Sequence, residues 1–179
     1  MAALVARHPD GIVRRVVLCG SPRAQGRCRT IADALAQELA AANTADRIVT
    51  LSIAGMDIHG CIGCNTCRDE GACVFEDDMV RVMATLDEAD ELHVVSPVYF
   101  AGPPSQFKAL LDRLQPHYWK NTRALPKRPA YLHVVGEGGD PHGFEPLVAI
   151  CRSALAVAGF SLETATPHIG SVPVQEDMR

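Results

Sequence analysis

Short apolar runs alternate along the chain with longer stretches in which apolar residues recur every three or four positions. The short runs are rich in Val, Ile and Leu, which is typical of strands buried on both faces of a parallel sheet. The longer stretches carry one apolar stripe each, a pattern typical of helices that pack on such a sheet. The pattern predicts strands over 15–19, 47–52, 91–96, 130–135 and 160–166.

Helices are predicted between these strands. Asp77 or Asp78 is suited to begin one of them, because a carboxylate accepts hydrogen bonds from the free N–H groups of a first turn. Five strands alternating with helices predict an α/β fold, an open parallel sheet with helices on both faces and a ligand site at the carboxyl ends of the strands. The predicted helices cover 30–42, about 78–86, about 105–114 and about 145–158.

Length and composition indicate one globular domain. The chain has 179 residues, of which 47% are hydrophobic and 21% charged, so we expect a single domain over 1–179. Residues 1–13 are predicted to lead into the first strand, and about 167–179 to form a tail. A formal charge of −4 without Lys/Arg runs predicts neither a nucleic-acid partner nor a membrane partner. The start of the chain lacks a targeting pattern, so the expected compartment is the cytoplasm.

Four of the seven cysteines lie close together in the sequence, at Cys61, Cys64, Cys67 and Cys73. The spacing is C-x2-C-x2-C-x5-C, within a glycine-containing segment that we expect to be loop-like. Thiolates that converge in this way bind metal. This cysteine segment is therefore the first candidate for chemistry.

Several interpretations of the cysteine segment remain open. A disulfide framework is disfavoured, because no secretion signal is present and the other three cysteines are scattered. Structural zinc sites usually take their ligands as two separated pairs. Three ligands at successive three-residue steps suit an iron–sulfur cubane, although bacterial ferredoxins have a different last spacing and a following proline. Reduced, unligated thiols are the remaining possibility.

The predicted first strand is followed by Gly20-Ser-Pro-Arg-Ala-Gln-Gly26-Arg-Cys-Arg-Thr30. A hydroxyl, arginines and the free N–H groups of a helix start favour phosphate binding there. The loop matches neither common nucleotide-binding glycine motif, so a plain strand-to-helix turn is an equal alternative.

Two further loops leave predicted strands at the same edge of the sheet. Ser96-Pro-Val-Tyr99-Phe100-Ala-Gly102 offers an aromatic pair on which a planar ring could stack, or two core or interface residues. Gly136-Glu-Gly-Gly139 would let the backbone approach a ring edge, or is simply a turn. Their shared position at one sheet edge favours one ligand site.

These motifs in combination resemble the flavodoxin-like NAD(P)H-dependent FMN reductases, and most closely the iron–sulfur flavoproteins. The resemblance covers roughly residues 14–160 and implies a five-stranded parallel sheet in the order 2-1-3-4-5. The residues that carry it are Gly20-Ser-Pro-Arg23 with Gly26, the four cysteines, Asp77-Asp78-Met79, Ser96-Pro-Val-Tyr99-Phe100, Lys108 and Asp112-Arg113.

The resemblance also implies the roles of individual residues. The first loop would surround the FMN phosphate, residues 97–100 would run along the isoalloxazine ring and residues 136–139 would close its far side. The four cysteines would hold a [4Fe-4S] cluster. Cys28 stands where many relatives have Thr or Ser, and its thiol is a weaker donor than a hydroxyl. The FMN residues are Ser21, Arg23, Gly26, Arg27, Cys28, Pro97, Val98, Tyr99, Phe100, Gly136, Glu137, Gly138 and Gly139.

The implied activity is electron transfer from NAD(P)H through FMN to a small-molecule or protein acceptor, with no catalytic side chain. The alternatives are a cluster-free reductase of flavin, quinones, nitro or azo compounds, and a non-enzymatic electron carrier. Relatives are usually dimers or tetramers, and the aromatic Trp119 is a candidate interface residue, so we expect a homodimer or homotetramer. Lys108 and Arg113 are expected on a solvated helix face.

Overall fold

The computed structural model of the chain describes residues 8–140 and 142–170. Its centre is a sheet of five parallel strands in the order β2-β1-β3-β4-β5, which confirms the flavodoxin-like topology. Residues 1–7 of the expected lead-in and 171–179 of the expected tail lie outside the described residues. The strands are β1 (Arg14–Cys19), β2 (Arg47–Ser52), β3 (Glu91–Pro97), β4 (Arg128–Gly136) and β5 (Phe160–Ile169).

Helices cover both faces of the sheet, as predicted. One face packs against the first helix through a small apolar cluster that includes Val17, Val95 and Ala32. The other face packs against the third, fourth and sixth helices through the larger core, which includes Leu18, Val94 and Leu132. The helices are α1 (Arg27–Ala42), α2 (Thr66–Glu70), α3 (Met79–Glu88), α4 (Ser105–Asp112), α5 (Gln115–Trp119) and α6 (Glu145–Val157).

The central strands explain why the sequence pattern was readable. Every residue of β3 from Glu91 to Ser96 is buried, and so are the last four residues of β1. Strands enclosed on both faces are rich in apolar residues, which makes them easy to recognise in a sequence, although β3 also buries Glu91, His93 and Ser96. Among the described residues, no helix has the length and apolar content that crossing a membrane requires.

Strand β5 is longer than the sequence pattern predicted. The expected tail from about residue 167 is wrong for residues 167–169, which pair with β4 as far as Ile169. Pro167 lies within this part of the strand, opposite Val134. A proline is tolerated there because β5 is an edge strand, where a backbone N–H on the open side needs no partner.

Two short helices were not predicted. Helix α2 lies inside the cysteine segment, so the expectation of a wholly loop-like segment is wrong. It begins after Asn65 and ends at Gly71, both with a positive φ. Helix α5 starts with Pro116 in its first turn and packs against α2. Such single-turn elements have too few residues to show a periodic apolar stripe.

Candidate functional site

A cleft of about 510 Å³ opens at the carboxyl ends of β1, β3 and β4. This is the point at which the strand order reverses, where ligands bind in open α/β sheets. Its volume lies in the range of small-molecule and cofactor sites. The cleft is lined by all thirteen residues that the family resemblance assigns to FMN, and additionally by Gln25, Val135, Asp140, Gly143, Phe144 and Ile169.

The loop after β1 presents hydrogen-bond donors to this cleft. Helix α1 begins after Gly26, which has a φ of 120° and provides no side-chain cap for the first turn. The first backbone N–H groups of any helix lack partners within the helix, and in α1 no capping side chain at Gly26 supplies one. The buried Ser21 hydroxyl accepts a hydrogen bond from the Arg23 N–H at 3.2 Å, which orders the loop. Free N–H groups at the positive end of a helix favour an anion such as phosphate.

The Arg27 side chain joins this loop to the far side of the cleft. Its Nη1 donates to the Gly136 carbonyl at 3.2 Å and its Nη2 to the His168 carbonyl at 3.0 Å. These bonds connect the start of α1 with the ends of β4 and β5. Arg27 therefore braces the cleft, and three of its five N–H donors are not needed for these two bonds.

Cys28 is buried in the first turn of α1. Burial and the neighbouring Cys19 raise the pKa of its thiol to about 11, although a hydrogen bond with Ser21 acts in the opposite direction. The thiol consequently stays protonated at neutral pH. It can serve the cleft through its backbone N–H and by packing, and it is unsuited to act as a nucleophile.

A tight turn carries the aromatic pair. The N–H and carbonyl of Tyr99 are both hydrogen-bonded to Gly102, at 2.9 and 3.0 Å. Phe100 and Ala101, the two central residues, have φ values of 50° and 61°. Such a conformation costs a non-glycine residue about 1–2 kcal/mol. The Phe100 side chain is 100% exposed and Tyr99 is 41% exposed, so the alternative that they are core residues is wrong.

Glycine is required in the loop that follows β4. Gly138 has a φ of 89°, and a Cβ atom added there would lie 3.1 Å from Cγ2 of Ile169. Gly139 has the same φ. The loop can take this path beside β5 only because it lacks side chains.

The four clustered cysteines line a second cavity, of about 160 Å³, and none of the described residues lines both cavities. A cavity of about 150 Å³ is large enough for a guest the size of benzene. Among residues 8–140 and 142–170, no group of three or more His, Cys, Asp or Glu side chains is arranged to hold a single metal ion. Besides the four cysteines, the cavity is lined by Ile62, Gly63, Asn65, Val74, Phe75, Arg113, Gln115, Pro116 and Trp119.

The thiols in this cavity are free and electrostatically coupled. Burial raises the pKa of Cys67, and the three other clustered sulfurs raise it further. Hydrogen bonds from Thr66, whose hydroxyl lies 3.3 Å from the Cys64 sulfur, lower the pKa of that exposed thiol. Four neighbouring soft sulfur donors around one cavity fit an iron–sulfur cluster chemically.

Arg113 corrects the sequence interpretation. It was expected on a solvated helix face but is only 1% exposed, because α4 ends at Asp112 and the following turn directs it inward. Its guanidinium donates to both carboxylate oxygens of Asp77 at 2.7 and 3.0 Å, and to the His59 carbonyl at 2.8 Å. Lys108 does lie on an exposed part of α4, where it pairs with Asp112 through bonds of 2.6 and 2.8 Å.

The parallel order 2-1-3-4-5 and the cleft at its switch point define a protein of the flavodoxin-like class. Residues 13–161 match the family model described as NADPH-dependent FMN reductase. The chain belongs to this family.

The curated relatives that match the chain include iron–sulfur flavoproteins. An iron–sulfur flavoprotein of Methanocaldococcus jannaschii is 38% identical over 101 residues, which cover 55% of this chain and 50% of that protein. An iron–sulfur flavoprotein of Methanosarcina thermophila is 29% identical over 163 residues, which cover 89% of this chain and 83% of that protein. The chain spans about half the length of the first two curated relatives it matches. It is thus close to the iron–sulfur flavoproteins.

Solved structures agree on the fold. Smu.1420 from Streptococcus mutans superimposes with a TM-score of 0.68 at 15% identity, covering 92% of each chain. An azoreductase from Bacillus anthracis superimposes with a TM-score of 0.66 at 14% identity, covering 89% of this chain and 88% of that one. At this level of identity the likeness concerns the fold alone.

Proposed function

We propose that the chain is an FMN-dependent oxidoreductase that passes electrons from NAD(P)H to an acceptor, and that its four clustered cysteines hold a [4Fe-4S] cluster. The observation that carries the proposal is the cleft itself. All thirteen residues assigned to FMN from the sequence line one cavity at the switch point of the sheet. Family membership supports the same flavin chemistry.

Different residues of the cleft would bind different parts of FMN. The first turn of α1, with the Ser21 hydroxyl and the exposed Arg23, would hold the phosphate of FMN. Tyr99 and Phe100 offer aromatic surface for the ring system, and Gly138 allows close backbone approach. FMN held here would supply hydride acceptance from NAD(P)H and the release of electrons one at a time.

The cysteine cavity would add a centre for single electrons. Four thiolates are the ligand set of cubane clusters, whose potential depends on nearby charge, hydrogen bonding and solvent exposure. Cys61 and Cys64 are exposed, whereas Cys67 and Cys73 are partly buried. The centre would therefore lie near the surface, within reach of an external electron acceptor.

The first experiment is an ultraviolet–visible spectrum of protein purified without oxygen, with iron, acid-labile sulfide and flavin assayed on the same sample. We expect flavin bands over a broad shoulder that bleaches on reduction, with matching iron and sulfide. Cys64→Ser should remove the iron and spare the flavin. Cys151→Ala is the matched control, because Cys151 lies in the core outside both cavities. Unchanged iron in Cys64→Ser would rule out the ligand assignment.

A cluster-free reductase is the second candidate. It is supported by the separation of the two cavities, because none of the described residues that line the FMN cleft also lines the cysteine cavity. Iron-free protein that oxidises NAD(P)H with a quinone, nitro or azo acceptor would support this candidate. Protein that holds flavin but oxidises NAD(P)H negligibly would instead be an electron carrier.

Assembly and location complete the proposal. Phe100, Tyr118 and Trp119 are large aromatic residues with substantial exposure, which suits burial between subunits of a homodimer or homotetramer. Light scattering on the flavin-loaded protein tests the assembly. The seven free cysteines suit the reducing cytoplasm.

A further inference from the structure

Asp77 and Arg113, which belong to two of the motifs behind the family resemblance, contact each other in the structure, and neither lines the FMN cleft. Asp77 and Arg113 are 36 positions apart and form a two-pronged ion pair. Both side chains are almost wholly buried, at 4% and 1% exposure. A buried pair of this kind is costly to desolvate and is not by itself a strong source of stability. Stability alone therefore does not explain why an ion pair is buried at this position.

The ion pair fixes both ends of the segment that contains the cysteines. Ahead of the cysteines, the Arg113 guanidinium donates to the His59 carbonyl at 2.8 Å, and Asp77 accepts the His59 N–H at 3.0 Å. After them, Asp77 accepts the N–H of Met79 at 3.1 Å, at the start of α3. The Arg113 guanidinium also lies over the Phe75 ring, 4.9 Å from its centroid. One pair thus closes the segment 59–77 into a loop.

The positive member of the pair lies against the cysteine cavity and the negative member does not. Arg113 lines the cavity together with the four cysteines, whereas Asp77 is absent from its lining. Arg113 also interacts electrostatically with Cys73. The pair therefore presents its positive end to the sulfur ligands.

We propose that Arg113 and Asp77 are positioning residues for the cysteine centre: they hold the cysteine segment closed, and their orientation makes the centre easier to reduce. This inference rests on the proposed function, because it needs a centre held by the cysteines. A cluster with four thiolate ligands gains negative charge when it is reduced. A nearby positive charge stabilises that state, and nearby net charge is one determinant of cluster potentials.

The test uses three variants of the loaded protein and measures the midpoint potential of the cluster by spectroelectrochemistry. Arg113→Gln should lower the potential, because it removes the positive end. Asp77→Asn should raise it, because it removes the opposing negative charge and keeps the shape. Arg113→Lys keeps the positive charge but loses the two-pronged geometry, so its midpoint potential should lie close to that of wild type. Loss of a supporting residue next to ligands also typically weakens metal binding by about 10- to 100-fold, so Arg113→Gln should retain less iron.

Arg15→Gln is the matched control. Arg15 is also mostly buried and pairs with two carboxylates, Asp46 at 2.8 Å and Glu91 at 2.9 Å, but it does not line the cysteine cavity. The Arg15→Gln variant should be less stable than wild type but should have the same cluster midpoint potential. Shifts of the same sign in Arg113→Gln and Asp77→Asn, or no shift in either, would overturn the electrostatic part of the proposal.

A second measurement separates this proposal from the proposed function. Hydrogen exchange of the segment 59–77 in metal-free protein should be faster in Arg113→Gln than in wild type, and unchanged there in Arg15→Gln. Equal exchange in Arg113→Gln and wild type would overturn the positioning role. Wild-type protein that never contains iron would instead contradict the cluster assignment, whatever the exchange rates are.

Discussion

Gly20→Ala should destabilise the protein through one identifiable contact. Gly20 is buried directly after the end of β1, and its N–H donates to the Val95 carbonyl at 2.8 Å. A Cβ atom added there would lie 2.9, 3.0 and 3.1 Å from three ring carbons of Phe107. Carbon atoms prefer separations of about 3.5–4.0 Å. The ring cannot easily give way, because Phe107 is fully buried in the core.

The expected cost follows from overpacking. Forcing an extra carbon into a packed core typically costs about 1–3 kcal/mol. Replacing glycine also restricts the unfolded chain, which offsets about 0.4–1 kcal/mol. We therefore expect the free energy of unfolding to fall by about 1–2 kcal/mol, and Tm to fall by about 2–4 °C for each kcal/mol. The loop that begins at Ser21 should shift as well, so FMN binding should weaken.

Urea unfolding followed by far-ultraviolet circular dichroism measures the first effect, and flavin fluorescence titration measures the second. Gly60→Ala is the matched control, because a Cβ atom there meets nothing within 4 Å and its φ is not positive. Phe107→Leu should partly rescue Gly20→Ala, since it removes ring atoms from the contact. A Gly20→Ala variant as stable as wild type would refute this reasoning, and so would strictly additive effects of the two changes.

Three other changes have defined outcomes. Burial and neighbouring imidazoles lower the pKa of His133 from 6.5 to about 4, so the unfolded chain takes up more protons and stability falls as the pH drops across that range. His133→Gln should flatten this fall in urea titrations. Gly138→Ala should weaken FMN binding, because of its positive φ and close contact. Phe100→Asn with Ala101→Gly should raise Tm by relieving the strained turn, and an unchanged Tm would contradict the strain.

The sheet could be predicted from the sequence because its central strands are enclosed. The apolar runs Val16–Cys19 in β1 and Val94–Val95 in β3 indicate buried strands, and the rule that ligands bind at strand ends located the cleft. The loops after β1, β3 and β4 were found in the same way. The sequence did not predict that Phe144 and Ile169 line the cleft, because they lie outside the loop motifs that follow β1, β3 and β4.

Other features depend on contacts between distant parts of the chain. Arg113 follows a helix with a solvated Lys108–Asp112 pair, and nothing local distinguishes it from another exposed charge. Its burial is set by Asp77, 36 residues earlier. Helix α2 is similarly decided by its packing against α5 rather than by its own short sequence. Side-chain partners across such distances are not visible in periodicity.

Within residues 8–140 and 142–170, the cleft and the cysteine cavity share no lining residue, and this separation has a consequence for engineering. The cysteine segment is inserted between β2 and α3, and the ion pair of Asp77 with Arg113 closes it at its base. It can therefore be regarded as a separate module attached to the sheet that carries the cleft. A transplant onto a related protein would therefore need residues 59–77, Arg113 and helix α5, which packs against α2 and lines the cavity. Transplanting the cysteines alone would leave out the ion pair that closes the segment.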